Sequence, residues 1–329
     1  MSLGLGAKIN KSDSEALWNP RKLGSALKLW FEPLYGIKGQ VSTPPGNNEQ
    51  ISEWLDLSSS QTDNTGKAPV ITHTTTGDTT ANTSIRLDDV TDIHIGSCVT
   101  AVTAEHLIKT SDGGAATSCE ITVTAVNVAT KIITVNASVT VVTGRDLVFT
   151  FPGFDFNTDN GGFLDCTGAQ KLVLPQQQLT ATEDHTVWLS IYFKNGTAIN
   201  TSDIFVNDID DSSNEFFRVQ NTTQIRLKIG GSVTSFNLDS SIPGTSSGTL
   251  QDETWYTIGW ERTGTANTLY VNGVAHGPNT RGNTFSFDRY VAGNGCVVGP
   301  LIVMQGRNTT ASERAYLLKY FERFQNAPS

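Results

Sequence analysis

Residues 255–277 read "WYTIGWERTGTANTLYVNGVAHG", and the spacing of their apolar side chains decides the fold class. Tyr256, Ile258 and Trp260 fall on one face of an extended chain, and Trp255, Thr257 and Glu261 on the other. This is the period of two expected of a strand. The turn formers "GTAN" (264–267) interrupt the pattern, and Leu269 and Val271 resume it before Asn272-Gly273. A type I′ turn needs positive φ at both central positions, which Asn-Gly tolerates best. The stretch therefore predicts a three-strand antiparallel meander.

The rest of the chain reads the same way. "HTVWLSIYF" (185–193) is apolar on both faces, as a strand in the middle of a sandwich would be. "TQIRLKIGG" (223–231) sets Ile225, Leu227 and Ile229 inward, Arg226 and Lys228 outward, and ends at Gly-Gly. One helix interrupts the series. Thr310 with Glu313 three residues later forms a capping box, and Leu317, Tyr320, Phe321 and Phe324 form an apolar stripe for docking on a sheet.

Between the "GKAPV" and "FPGF" boundaries the texture changes to Thr, Val and Ile with few large aromatics. "TSIRLDDV", "IHIGSCVTAV", "CEITVTAV", "KIITVNASV" and "RDLVFTF" read as about five short strands of a small β domain inserted into the larger one.

Composition excludes several classes of function. A net charge of −9 and the lack of any basic run argue against a nucleic-acid partner, whose phosphates need Lys and Arg. "CVVGPLIVM" (296–304), the longest apolar stretch, is too short to span a bilayer. The first residues contain no apolar core of signal-peptide length, so export by that route is not expected. The four cysteines (Cys98, Cys119, Cys166, Cys296) form no C-x-x-C pair. Free buried thiols are the expected state, with a Cys98–Cys119 bridge as the alternative. Seven N-x-S/T sequons, Asn195 and Asn221 among them, are read as coincidence in an Asn- and Thr-rich chain.

In chain order, "LKLWFEP" (27–33), "ISEWLDLSS" (51–59), "GFDFNTDNGGFLDC" (153–166), "HTVWLSIYF", the opening hairpin and "GPLIVMQGRNTTASERAYLLKYFERF" (299–324) resemble the concanavalin A-like lectin/glucanase superfamily in its laminin-G-like form. That family carries a W-x-D-x-S turn, a W-Y-x-I…LYVNG hairpin and an S-x-x-E-R helix, which Ser312-Glu313-Arg314 approximates. The resemblance implies an all-β, laminin-G-like jelly-roll sandwich formed by 17–69 and 154–325, preceded by an arm over 1–16 and closed by a short C-terminal helix. Residues 70–153 depart from the family pattern as an inserted small β-barrel or sandwich domain, similar to modules in virion proteins of tailed phages.

A glucanase on this fold would carry E-x-D-x-x-E, with paired carboxylates about 5 Å apart in a retaining enzyme, and the chain has no such motif. The closest acidic cluster is "NDIDDSSNE" (207–215). Asp208, Asp210 and Asp211 are the metal candidates there, for Ca²⁺ held by loop oxygens, against the blander reading of a solvated turn. "GTSSG" (244–248) matches a nucleophile elbow but lies in a Ser/Gly-rich loop before a strand, not at a strand-to-helix turn. The five histidines (73, 94, 106, 185, 276) lack metal-site spacing. Trp188, Trp255, Tyr256 and Trp260 would suit sugar stacking, but each sits in an alternating strand where core packing is the common fate. A sugar site would fall on loops such as 157–162 or 277–283, where no residue singles itself out.

The expectation is a non-enzymatic virion structural protein: a capsid decoration, knob or tail-fibre component that assembles with itself and other virion proteins. It carries no catalytic residues and no cofactor unless Ca²⁺ binds. The alternative is a carbohydrate-binding adhesin that contacts host surface polysaccharide. Neither a nucleic acid nor a membrane is an expected partner.

Overall fold

The computed structural model describes residues 18–325 apart from 34, 40–44, 46–48, 59–64, 69, 92, 94, 117–118, 151–153, 158–162, 167–170, 201, 208–214, 239–241, 244–247 and 292–294. The described chain is an all-β sandwich with one α-helix packed on its outside.

The meander of the opening stretch is present as Thr254–Thr263, Ala266–Val271 and Val274–Thr280. Its second turn has Asn272 at φ 48° and Gly273 at φ 84°, between the paired Val271 and Val274. The first turn is tighter than the sequence suggests. Strand pairing runs to Thr263 opposite Ala266, so Gly264-Thr265 alone makes the turn and Asn267 lies inside a strand.

Two sheets face each other. In the front sheet, His185–Phe193 lies between Thr254–Thr263 and Cys296–Gln305, antiparallel to both. Cys296–Gln305 is flanked on its far side by Leu27–Phe31 and, further along, by Phe163–Cys166. The back sheet runs from Ile37–Gly39 through Glu49–Trp54, Gly66–Lys67, Lys171–Leu179, Phe285–Val291, Ser202–Val206, Phe216–Asn221 and Gln224–Ile229 to Ser232–Asn237. Along Gln224–Ile229 the alternation is as expected, with Ile225, Leu227 and Ile229 buried and Gly230-Gly231 turning at positive φ.

The core between the sheets holds Tyr256, Ile258 and Trp260 together with Leu189, Ile191, Phe217, Leu227 and Phe287. Trp54 anchors one end, stacked on Phe31 at 5.0 Å and on Tyr290 at 6.3 Å. Asp56 of the W-x-D-x-S turn accepts from the Trp30 amide (2.9 Å), the Ser58 amide (2.9 Å) and the Ser58 hydroxyl (2.8 Å). The motif is thus a local hydrogen-bonded turn that ties itself to the strand carrying Trp30.

The outer face of the front sheet is covered as well. The helix Ala311–Glu322 buries Leu317, Tyr320 and Phe321 against Trp30, Trp188, Ile302 and Met304, with Trp18 and with Leu23 of the Pro20–Ala26 turn. This explains why every residue of His185–Phe193 is buried. One face meets the back sheet and the other meets the helix.

The capping box forms. Glu313 N donates to Thr310 Oγ1 (3.2 Å) and Thr310 N donates to Glu313 Oε2 (2.8 Å). The Arg307 guanidinium grips the same carboxylate at 2.9 and 2.8 Å and, with the Thr310 groups, holds its pKa down to about 2. A depressed carboxylate pKa stabilises the fold above the ordinary value of 4.5 and loses that contribution as pH falls towards 2. Arg307→Gln is expected to raise the Glu313 pKa towards 4.5 in a carboxyl NMR titration. An unchanged value would remove Arg307 as the cause.

Residues 70–150 form two further sheets. Val70–Thr74, Asp146–Thr150 and Cys98–Ala101 make one. Thr79–Arg86, Ile132–Val141, Ile108–Lys109 and Val123–Asn127 make the other. They share a core of their own, with Val99, Leu147 and Phe149 from the first meeting Ile85, Val123, Ile133, Val135 and Val139 from the second. The two sheets also touch at their edges, through antiparallel bridges between Thr75 and Leu87 and between Cys98 and Thr122. Sequence periodicity missed Val70–Thr74 and the two-residue strand Ile108–Lys109.

Candidate functional site

Asp208, Asp210 and Asp211 lie outside the described residues, as do 244–247 of the nucleophile-elbow match, most of the 157–162 loop and His94. Among the described residues no group of three or more His, Cys, Asp or Glu side chains is placed to hold a metal ion. His73 sits 3.6 Å from Asp88 and 3.1 Å from the Thr91 carbonyl. His276 is buried in its strand, and His106 lies in a short turn. His185 is fully buried with its ring edge-on to Trp260 at 4.7 Å. Burial and the nearby Arg262 charge hold the His185 pKa down to about 3, with only partial opposition from the Glu183 backbone.

The aromatics considered for sugar stacking are inside the protein. Tyr256 and Trp260 belong to the central core, Trp188 lies beneath the helix, and Trp255 packs with Tyr192 and Val297 on the front sheet's outer face.

The buried charges are bound to structural partners. Arg262 donates to the carbonyls of Gly264 (2.7 Å), Asn283 (2.6 Å) and Ala181 (2.5 Å), fastening three loops at one end of the sandwich. Glu261 accepts from Arg314 Nη1 at 3.0 Å and from Thr309 Oγ1, joining the hairpin to the helix start. Glu32 accepts from the Tyr320 hydroxyl, which in turn accepts from Trp30 Nε1 at 3.0 Å. Burial pushes the Glu32 carboxyl up from its ordinary range despite that bond. A raised carboxyl is often a functional signal. Here both neighbours join helix to sheet, so the network has a complete structural role.

The described residues also form a concave feature. A groove of about 290 Å³ lies between the helix and the Asn272-Gly273 turn, lined by Pro243, Thr257, Asn272, Leu318, Glu322 and Gln325. Its wall comes from the hairpin. The Thr257 amide donates to Asn272 Oδ1 at 2.9 Å, and the Asn272 amide donates to the Thr257 carbonyl at 2.8 Å. Gln325 Nε2 crosses from the helix side to Thr257 Oγ1 (2.7 Å) and Ser190 Oγ (3.2 Å). Gly273 turns at φ 84°, which favours glycine, and a Cβ there would stand 2.8 Å from Leu318 Cδ1, so the turn and helix lie close together. Amide, hydroxyl and carboxylate groups over a Leu and Pro floor suit a small polar ligand with an apolar side. Sequence reading missed this groove because four separate segments build it.

A second feature is distributional. The exposed large apolar side chains among the described residues are Tyr35, Leu55, Val70, Ile95, Val102, Val128, Val142 and Val233. Five of these eight belong to the smaller sandwich, the most exposed being Val128 at 75%.

No family model matches the chain, and no curated protein matches it. Among solved structures it is similar to the binding domain of Paraclostridial Mosquitocidal Protein 1, at 14% identity over 48% of this chain and 43% of that one, with a TM-score of 0.35. A Trypanosoma rangeli sialidase in complex with the inhibitor DANA matches at 13% identity over 50% of this chain and 28% of that one, TM-score 0.36. The binding domain of botulinum neurotoxin serotype G matches at 13% identity over 50% and 44%, TM-score 0.34. The chain spans less than half the length of each of these structures.

Proposed function

We propose that this chain is a non-enzymatic structural protein of a tailed-phage virion, a capsid decoration, knob or fibre component. Its laminin-G-like jelly roll forms the body, and residues 70–153 form an inserted contact unit. It acts in several copies, against itself and other virion proteins. The observation that carries this reading is the set of exposed Val70, Ile95, Val102, Val128 and Val142 side chains, more than the larger sandwich displays. Apolar surface left on a subunit is what assembly covers. The burial of Trp188, Trp255, Tyr256 and Trp260 in cores, and of Glu261 and Arg262 in structural bonds, supports an architectural body.

Mass spectrometry of purified particles is expected to find the protein. Val102→Asp and Val128→Asp are expected to keep the thermal stability of the isolated chain within about 0.5 kcal/mol, as exposed positions do, while lowering its incorporation into particles. Absence from particles, or full incorporation of both variants, would defeat the reading.

A second reading, a carbohydrate-binding adhesin, is favoured by the chemistry of the groove at Thr257, Asn272, Glu322 and Gln325. On a glycan array it predicts signals that Glu322→Ala reduces at least tenfold. A chelator arm tests whether Ca²⁺ at Asp208, Asp210 and Asp211 contributes. A blank array removes this reading and leaves the first standing.

A further inference from the structure

The smaller sandwich contains a thiol pair that the proposed function does not use. Cys98 begins the strand Cys98–Ala101, which belongs to the sheet with Val70–Thr74 and Asp146–Thr150. Cys119 precedes the strand Val123–Asn127, which belongs to the opposite sheet. Between the sheets the two segments run antiparallel. Val99 N donates to the Ile121 carbonyl at 2.8 Å, Val123 N donates to the Ser97 carbonyl at 2.9 Å, and Cys98 lies opposite Thr122. The Cys98 thiol is also in hydrogen-bonding contact with that of Cys119. Neither is in a disulfide. Cys98 is buried and Cys119 half-buried, so Cys119 is the more accessible residue of the pair.

The other two cysteines make an instructive contrast. Cys166 and Cys296 are also cross-strand partners, but both are fully buried in the main core beside Phe193 and Ala198. Thiol–disulfide exchange needs in-line access to sulfur, which a sealed core denies.

We propose that Cys98 and Cys119 are a disulfide-forming modification site, closed by exchange with a low-molecular-weight disulfide, and that the bond staples the two sheets of the smaller sandwich together. Cys119 is the entry point because it is the accessible sulfur. Its thiolate attacks one sulfur of the small disulfide, forming a mixed disulfide and releasing one small thiolate. The Cys98 thiolate then attacks Cys119 Sγ, forming the Cys98–Cys119 bond and releasing the second. Each cysteine gives up a proton and each leaving thiolate takes one. Two cysteine thiols are oxidised and one small disulfide is reduced to two thiols. Burial and the bond to Cys119 push the Cys98 thiol up, so Cys98 is the slow resolving partner and not the first nucleophile. A small core such as this one gains most from a cross-link between layers.

The full-length chain is incubated with glutathione disulfide, free thiols are alkylated in denaturant, and peptides are mapped. The expected result is one cross-linked peptide pair joining Cys98 to Cys119, two hydrogens lighter than the reduced pair, with Cys166 and Cys296 alkylated. Cys98→Ser is expected to trap glutathione on Cys119, and Cys119→Ser to leave Cys98 unmodified. A stable glutathione adduct on Cys119 of the unaltered chain, a linkage involving Cys166 or Cys296, or alkylation of all four thiols would each overturn the assignment. The linked form is also expected to melt at a higher temperature than the reduced form, and a dithiol reductant should abolish the difference. Equal melting temperatures would show that the bond does not staple the sheets.

Discussion

Gly259→Ala is expected to destabilise the fold by about 3 kcal/mol, near the top of the usual overpacking range, although it adds a single methyl group. Gly259 lies directly opposite Trp188 on the neighbouring strand, and the indole is laid flat across it. A Cβ there would stand 2.6 Å from Cζ3 and 2.7 Å from Cδ2 and Cε2 of that ring. The indole has nowhere to retreat. It is fully buried, stacked on Tyr270 at 5.5 Å, and packed among Ile302, Met304 and Leu317 under the helix. The methyl group must therefore lift the helix or bend the strand. In a protein of this size the loss corresponds to a fall of roughly 6–12 °C in melting temperature. Trp188→Leu in the neighbouring strand supplies the control. If the cost is steric, adding Gly259→Ala to that variant should cost far less than adding it to the native chain. Equal costs in the two backgrounds would show that the indole is not the obstacle.

Mild acid is expected to weaken the protein from about pH 6.5 downward, well before its carboxylates titrate. The cause is His185, held neutral in the fold with a pKa of about 3 against an ordinary value of 6.5. Between those values the unfolded chain binds a proton that the folded chain refuses, so stability rises with pH across the window. The contribution is fully present above 6.5 and is lost as pH falls towards 3. At about 1.4 kcal/mol per pH unit, descending from pH 6.5 to 4.5 should remove about 2–3 kcal/mol from the unfolding free energy. His185→Leu lacks the proton acceptor and is expected to keep a flat profile over this range. Parallel profiles for the two proteins in urea denaturation would refute the assignment. Below pH 4.5 the Glu313–Arg307 pair adds its own loss, which both proteins share.

The parts of the fold legible in the sequence are those fixed by neighbours along the chain. Asn272-Gly273 declares a turn because its backbone angles are local, and Thr310 with Glu313 declares a helix start because its bonds close within three residues. Ile225, Leu227 and Ile229 declare a face by alternation alone. What escaped depends on distant partners. Asn267 reads as a turn residue, but it is buried, accepting from Trp260 Nε1 at 3.0 Å and donating to the Arg281 carbonyl at 2.9 Å. Its polarity serves a tertiary network that no window reveals. Val70–Thr74 shows no clean inward face, since its residues are exposed or half-buried. The groove draws Pro243, Thr257, Asn272, Leu318 and Gln325 from separate segments, and their meeting follows from how the helix docks.

The pairing that begins and ends the smaller sandwich has a consequence in chain statistics. Val70 and Thr150 are direct partners, so the segment returns to within one strand spacing of where it departed. A flexible excursion of that length would burden the larger sandwich with a closure entropy about 3 kcal/mol above that of a two-residue turn. Because the excursion folds on its own core and clamps its own ends, the larger sandwich experiences it as a tight turn. Lengthening the loops within the smaller unit should therefore leave the stability of the larger one unchanged, whereas unpairing Val70 from Thr150 would restore the entropy of the open loop.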